Sequence, residues 1–227
     1  MDLEHHYEQM YQQAKPELQA GRVVIDPWLG QAGDDRYGLT ILLRLTQEVE
    51  DKVQAALDEF RAIEPGQYYY PASDLHVTVL SVVSCQSGYV LPEGLVHRYV
   101  EVVKQALQGV PPFSLSFRGL TASPEAIMVR GYMEDDTLNK VRTSLRQMLL
   151  KSGLPQTMDK RYVLQTAHAT VLRFAKPLLQ GQRLVAMLEQ FGDYEFGRAR
   201  MAELELVYND WYQRRAKVMT LARFPLG

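Results

Sequence analysis

The chain contains a single cysteine, Cys85, among its 227 residues. One cysteine cannot form an internal disulfide bond, and it excludes a zinc site that is built from several cysteines. Because Cys85 directly follows an apolar segment, we expect it to pack in the interior and not to act as a nucleophile.

Long hydrophobic segments are also missing from the sequence. No apolar run approaches the length of a transmembrane helix, and residues 1–19 are polar and acidic, unlike a signal peptide. We therefore expect a protein without membrane contact, and a cytoplasmic location.

The sequence also lacks an excess of positive charge. The formal net charge is −2 and the isoelectric point is about 6.2. Non-specific binding of long double-stranded nucleic acid needs many cationic contacts to phosphates, so this composition argues against it. A small phosphate ester or a single RNA end remains a suitable ligand. With 46% hydrophobic residues, the chain can bury a sizeable core.

One pattern, His-x-Thr-Val-Leu, is present twice, at residues 76–80 and 168–172. With five histidines and ten threonines in 227 residues, about 0.2 accidental His-x-Thr triplets are expected. Each copy lies in an apolar, β-branched run, at residues 75–83 and 167–174, which is typical of a buried strand. Residues i and i+2 of a strand share a face, so each strand presents one imidazole and one hydroxyl.

Two such strands side by side would form a pocket with two titratable rings and two hydroxyls. One histidine could take a proton from the attacking oxygen while the other protonates the leaving oxygen. The hydroxyls of Thr78 and Thr170 could bind the non-bridging oxygens of a phosphoryl group. This set of groups favours phosphoryl chemistry by general acid and base catalysis. The sequence does not assign the acid or the base to either His76 or His168.

Paired His-x-Thr motifs on apolar strands, about half a chain apart, resemble the 2H phosphoesterase superfamily. This superfamily includes the 2'-5' RNA ligases and the cyclic nucleotide phosphodiesterases. The resemblance extends over about residues 37–227. It implies that His76 and His168 are the catalytic pair and that Thr78 and Thr170 bind phosphate.

Hydrophobic periodicity and turn residues predict a further set of elements. The predicted strands are 37–45, 75–83, 113–119, 126–133, 162–174 and a hairpin of 200–208 with 216–224 around Asn209 and Asp210; the predicted helices are 1–20 (interrupted at Pro16), 47–63, 92–109, 138–152 and 182–191. This order predicts an α+β fold of two pseudo-symmetric lobes, each an antiparallel-rich sheet flanked by helices. The active site would lie in the cleft between them. Residues 1–36 would form an amino-terminal helical arm, and residues 37–227 a single bilobed domain.

Aromatic and basic residues near the motifs are candidates for substrate binding. Tyr68, Tyr69 and Tyr70 precede the first motif strand, and at least one could stack on a base or sugar; packing beneath a loop is the alternative. Lys160 and Arg161 are the nearest cations before the second motif, and either contact an anionic ligand or are solvated. Trp211 would lie at the tip of the last hairpin.

These features predict a metal-independent phosphodiesterase or phosphotransferase that acts on a nucleotide or RNA-end ester, such as a 2',3'-cyclic phosphate or a 2',5' linkage. No cofactor is expected, and we expect a monomer. One alternative is a binding module that holds a nucleotide in the same pocket without turnover. A second is a metal hydrolase with His76 and His168 as ligands, which the lack of a carboxylate in either triplet disfavours.

Overall fold

Two antiparallel β-sheets form the centre of the molecule. The structure is a computed structural model, and it describes residues 2–160 and 163–227. The first sheet has the order β3-β1-β8-β9, with β1 at Arg36–Arg44, β3 at His76–Ser87, β8 at Glu203–Asp210 and β9 at Met219–Pro225. The second has the order β2-β6-β5-β4-β7, with β2 at Tyr68–Tyr69, β4 at Phe113–Ala122, β5 at Ala126–Met133, β6 at Ala169–Arg173 and β7 at Glu195–Met201.

Five helices among the described residues cover the two sheets. They are α1 (Leu3–Gln19), α2 (Gln47–Ile63), α3 (Glu93–Ala106), α4 (Thr137–Ser152) and α5 (Gly181–Gln190). Helices α3 and α4 contact the first sheet, whereas α1, α2 and α5 contact the second sheet or each other. The predicted α+β fold with two helix-flanked antiparallel sheets is therefore confirmed.

Helix α4 shows why the sequence folds in this way. Its apolar residues recur at helical spacing, and Leu138, Val141, Leu145 and Leu149 are all buried. Burying each such side chain contributes about 1.5–3 kcal/mol to stability. The helix ends at Gly153, whose φ of 68° places it in the left-handed region that favours glycine.

The two sheets do not correspond to the two halves of the chain. Strands β8 and β9 come from the carboxyl-terminal part, yet they complete the first sheet beside β1. Strand β2 comes from the first half and pairs with β6 in the second sheet. Neither half of the chain could therefore build a complete sheet alone.

Three local predictions were wrong. Residues 200–208 form parts of two strands in different sheets, β7 and β8, separated at Ala202. Asn209 and Asp210 belong to β8, where they pair with β1, so the hairpin loop is residues 211–218. Helix α1 is continuous through Pro16: proline removes one N–H bond within the helix, but Ala14 and Leu18 on either side of it are fully buried and hold the helix in place.

Helix α1 packs closely on the second sheet. Tyr7, Ala14 and Leu18 are fully buried, and the Tyr7 hydroxyl donates to the Gly131 carbonyl of β5 at 3.0 Å. Residues of this helix thus belong to the main core. None of the helices in the described ranges is long and apolar enough to cross a membrane.

Candidate active site

A cavity between the two sheets is lined by residues of both His-x-Thr motifs. Strand β3 contributes His76 and Thr78. Thr170 lies in β6, and His168 is the residue directly before that strand. Thr170 is on the second sheet and Thr78 on the first, so the cavity lies where the sheets approach each other. The remaining lining residues are Thr40, Tyr70, Leu80, Ser81, Ser84, Cys85, Asp159, Leu164, Arg173, Asn209, Trp211 and Gln213.

The first imidazole, His76, begins β3 and is half-buried. Its Nδ1 lies 2.8 Å from the carbonyl oxygen of Asp74. A carbonyl oxygen can only accept, so Nδ1 carries a proton and Nε2 is left to face the cavity. Burial lowers the pKa of His76 to about 4, against the opposing effect of this hydrogen bond; Arg44 and Arg173 lower it further.

The second imidazole, His168, lies one residue before β6 and not within it. Residues 163–168 form no strand, although the sequence predicts one over 162–174. The His168 Nδ1 lies 2.7 Å from the hydroxyl of Thr166, which can donate or accept. Burial lowers the pKa of His168 to about 4, and the nearby charges of His76, Arg142 and Arg173 add to this effect.

Irregular pairing between β1 and β3 determines which β3 side chains reach the cavity. Leu42 pairs with Thr78, but its neighbour Ile41 pairs with Leu80, so β3 has an extra residue at this point. Two further shifts follow along the strand. As a result Thr78, Ser81 and Ser84 all line the cavity, although strict alternation would place Ser81 on the other face.

A similar irregularity in β6 brings Arg173 into the site. Leu172 pairs with Ile127, whereas Thr170 pairs with the adjacent Met128, so β6 also has an extra residue. Arg173 and Thr170 therefore reach the same cavity although they are three residues apart. The sequence does not predict Arg173 as a site residue, because a regular strand would point its side chain to the face opposite Thr170.

Aromatic side chains form one side of the cavity. Tyr70 and Trp211 line it, and the Tyr70 hydroxyl accepts a hydrogen bond from Arg173 Nε at 3.1 Å. Tyr68 packs edge-on against Tyr70, with 5.1 Å between their ring centroids. Tyr69 points elsewhere, since its hydroxyl donates to the Glu64 carbonyl and its ring lies beneath Arg61.

The remaining candidates lie at or beyond the edge of the cavity. Lys160 is exposed and does not line it, whereas its neighbour Asp159 does. Arg161 lies outside the described residues.

Cys85 is half-buried on the cavity wall and not packed in the interior as expected, with its Sγ 3.6 Å from the Asn209 carbonyl. Within residues 2–160 and 163–227, no group of three or more His, Cys, Asp or Glu side chains could hold a metal ion.

Two amide side chains from the end of β8 and the loop after it also line the cavity. Asn209 and Gln213 are almost fully buried, and Gln213 has a φ of 57°, which is uncommon for a residue other than glycine. No sequence pattern marks them, because their place in the site depends on pairing between β8 and β1.

Comparison with known proteins places this geometry in a family. The model of the 2'-5' RNA ligase superfamily matches residues 49–211. A protein named RNA 2',3'-cyclic phosphodiesterase, from Methanothermobacter thermautotrophicus, is 25% identical over 166 residues, which cover 71% of this chain and 84% of the relative.

Solved structures share the fold. The protein TT0787 of Thermus thermophilus superposes with a TM-score of 0.61 at 16% identity, covering 83% of this chain and 97% of that protein. LigT of E. coli, solved with 3'-AMP, gives a TM-score of 0.58 at 15% identity over 84% and 98% of the two chains. Other LigT structures contain ATP or NADP+. With its family model matched over most of its length and both His-x-Thr motifs in one cavity, this chain belongs to the 2'-5' RNA ligase superfamily of 2H phosphoesterases.

Proposed function

We propose that this protein is a metal-independent phosphodiesterase that opens a 2',3'-cyclic phosphate on a nucleotide or RNA end. The observation that carries the proposal is that His76 and His168, from different sheets, line one cavity with Nδ1 of each ring held by a hydrogen bond. Each ring then has Nε2 available for proton transfer. Such an arrangement suits a reaction in which one group removes a proton while another supplies one.

The other polar groups of the cavity suit a phosphoryl group. Thr78 and Thr170 offer hydroxyl donors from opposite sides, and Arg173 adds a permanent positive charge. Donors that are held in place before the reaction stabilise the extra negative charge of a pentavalent transition state. A guanidinium group is well suited to bind two phosphate oxygens at once.

The partners of the two rings differ, and this difference supports a division of roles. The Asp74 carbonyl stabilises a proton on Nδ1 of His76, including in the doubly protonated ring. Two arginine charges oppose protonation of each ring, so only the Asp74 carbonyl, which raises the pKa of His76 and has no counterpart at His168, distinguishes them. A site with one extra proton therefore holds it on His76, which makes His76 the general acid and His168 the general base.

The steps follow from these roles. His168 Nε2 takes a proton from water as the water oxygen forms a bond to phosphorus. The bond from phosphorus to one ribose oxygen breaks, and His76 Nε2–H protonates that oxygen. The product is a nucleoside monophosphate, and proton exchange with solvent restores both rings. In the reverse direction the two roles exchange, so the same site could also form the ester.

Two observations support a nucleotide over a simpler phosphate ester. Trp211 is partly exposed and lines the cavity beside Arg173, and an aromatic ring is suited to stack on a base; Tyr70 is buried and holds Arg173 instead. The names of related proteins point the same way: one relative is named for RNA 2',3'-cyclic phosphates, and LigT was solved with 3'-AMP.

The test is turnover of the four 2',3'-cyclic nucleotides and of 2',5'-linked dinucleotides, with EDTA present. We expect wild-type turnover, and a loss of about 10²-fold or more in kcat for both His76→Ala and His168→Ala. His97→Ala is the matched control, because His97 is exposed on α3 and does not line the cavity.

Three results would contradict the proposal. Activity that EDTA abolishes would indicate a metal hydrolase. Full activity in either histidine variant would exclude catalysis by the pair. Binding of a nucleotide without any turnover, weakened in both variants, would show a non-catalytic binding module instead.

A further inference from the structure

A buried cation lies behind the catalytic cavity. Arg142, on α4, is only 1% exposed, and none of its hydrogen bonds among the described residues goes to a carboxylate. Burial lowers the pKa of Arg142 to about 10, so its guanidinium remains charged at neutral pH. A buried charge without a counter-ion is costly to stability, so the hydrogen bonds of the Arg142 guanidinium must offset that cost.

The guanidinium of Arg142 binds three backbone carbonyls. Its Nε donates to Val79 at 3.0 Å, and its Nη2 donates to Thr78 at 3.0 Å and to Thr166 at 2.7 Å. The first two carbonyls belong to the first His-x-Thr motif. The third belongs to the residue whose hydroxyl holds His168. One side chain therefore joins the backbone of the first motif to the segment directly before the second, across the gap between the sheets.

These carbonyls are available because neither segment has a strand partner on that side. Strand β3 is the edge of the first sheet, so carbonyls that point away from β1 have no ladder bond. Thr166 precedes β6 and lies outside any strand. Without a donor, these buried acceptors would each carry a desolvation cost.

The position of His168 depends on such contacts more than that of His76 does. His76 begins a twelve-residue strand, which is paired with β1 along its length. Residues 163–168 have no ladder, so side chains and close packing must hold them. Ala167 packs directly on Gly131, and the Thr166 carbonyl accepts from Arg142.

We infer that Arg142 is a positioning residue that sets the separation and orientation of the two catalytic histidines by hydrogen-bonding the backbone of the first motif and the backbone of Thr166, two residues before His168. The inference rests on the proposed function, because its kinetic test measures catalysis by the two histidines. Only arginine suits this position, since its planar fork presents several donors in fixed directions, whereas a lysine ammonium could not satisfy all three carbonyls with the same geometry.

The experiment compares Arg142→Lys and Arg142→Gln with Leu145→Ala. Leu145 lies on the same helix and is fully buried, so its truncation destabilises the protein without touching the three carbonyls. We expect kcat to fall about 10- to 100-fold in both Arg142 variants while KM changes less than about threefold, because a misplaced catalytic group slows the chemical step. Leu145→Ala should lower the melting temperature at least as much as the Arg142 variants do, and its kcat should stay within about twofold of the wild-type value.

Nitrogen NMR of the imidazole rings provides a readout that does not require turnover. In Arg142→Gln the pKa of His168 should rise, since a positive charge is removed; in Arg142→Lys it should stay closer to the wild-type value. The ring signals of His168 should shift in both variants, and those in Leu145→Ala should not.

The inference would be overturned by Arg142 variants that match Leu145→Ala in kcat, or by ring signals of His168 that match the wild type. Failure of the proposed function is a separate result. If the wild type turns over no substrate of the panel, that function fails, and the NMR comparison still decides whether Arg142 positions His168.

Discussion

At the scale of single residues, His76 and His168 are both kept neutral in the free protein. Each ring is removed from solvent by the walls of the cavity, which lowers its pKa to about 4. Arg173 adds to the effect in both cases. A neutral pair is ready to supply a base, but a general acid requires one ring to be protonated.

Because both rings are neutral in the free protein, we expect kcat/KM to depend on pH in a specific way. In the proposed mechanism the active form of the protein carries one extra proton, and above about pH 5 the fraction of this form in the free protein falls tenfold per pH unit. A plot of log(kcat/KM) against pH should therefore decline with a slope near −1 between about pH 5.5 and 8. The bound phosphodiester raises the pKa of the acid, so kcat should stay level to a higher pH than kcat/KM.

Steady-state kinetics with a 2',3'-cyclic nucleotide measures both profiles, since this substrate keeps a single negative charge throughout the range. A kcat/KM profile that is flat up to about pH 7 would contradict the lowered pKa values. Coincident profiles for kcat and kcat/KM would contradict the effect of the bound anion.

At the scale of elements, β-bulges and one unpaired segment decide what reaches the cavity. Extra residues in β3 and β6 turn Ser81 and Arg173 toward the site. The segment 163–168 places His168 through side-chain contacts and close packing, without a ladder. Periodicity predicts the existence of both motif strands, yet a bulge changes the side-chain direction without any clear sequence signal.

The substitution Gly131→Ala tests how tightly residues 163–168 are held. A Cβ at Gly131 would lie 2.0 Å from the carbonyl oxygen of Ala167, so the backbone next to His168 must move. We expect the free energy of unfolding to fall by about 1–3 kcal/mol, as for overpacked cores, together with a drop in kcat of about tenfold or more. Chemical denaturation and turnover of a cyclic nucleotide measure the two effects.

Gly94→Ala is the control for this substitution. Gly94 lies in α3, and nothing surrounds the added methyl group within 4 Å. This variant should be as active as the wild type and up to about 1 kcal/mol more stable, since alanine favours helix. Wild-type activity in Gly131→Ala would show that the packing of Ala167 on Gly131 does not determine the position of His168.

At the scale of the whole molecule, the two sheets are built from interleaved segments. Strands β8 and β9 return to the first sheet and bring Asn209, Trp211 and Gln213 to the cavity. The cavity therefore forms only when distant parts of the chain are assembled. Its buried histidines make folding itself sensitive to pH.

The sign of this effect follows from the lowered pKa values. An unfolded histidine titrates near pH 6.5, whereas the folded rings titrate near 4, so the unfolded chain binds more protons between these values. The free energy of unfolding should be highest above about pH 6.5 and should fall as the pH is lowered to about 4, by on the order of 3 kcal/mol for each ring.

Urea denaturation at several pH values measures this loss. In the double variant His76→Gln with His168→Gln, the free energy of unfolding should change less between about pH 6.5 and 4 than in the wild type. An equally steep dependence in the double variant would assign the acid sensitivity to other groups.

The sequence by itself determined the class of chemistry, the two motifs and most of the helices and strands. Residue type and periodicity are local properties, so the repeated His-x-Thr pattern and the apolar stripe of α4 can be found without a structure. Tertiary structure alone decided that Arg173 enters the cavity, that the last hairpin joins the first sheet, and that Arg142 connects the first motif to the segment before the second. These features depend on bulges, strand order and buried contacts between distant residues, which no local pattern encodes.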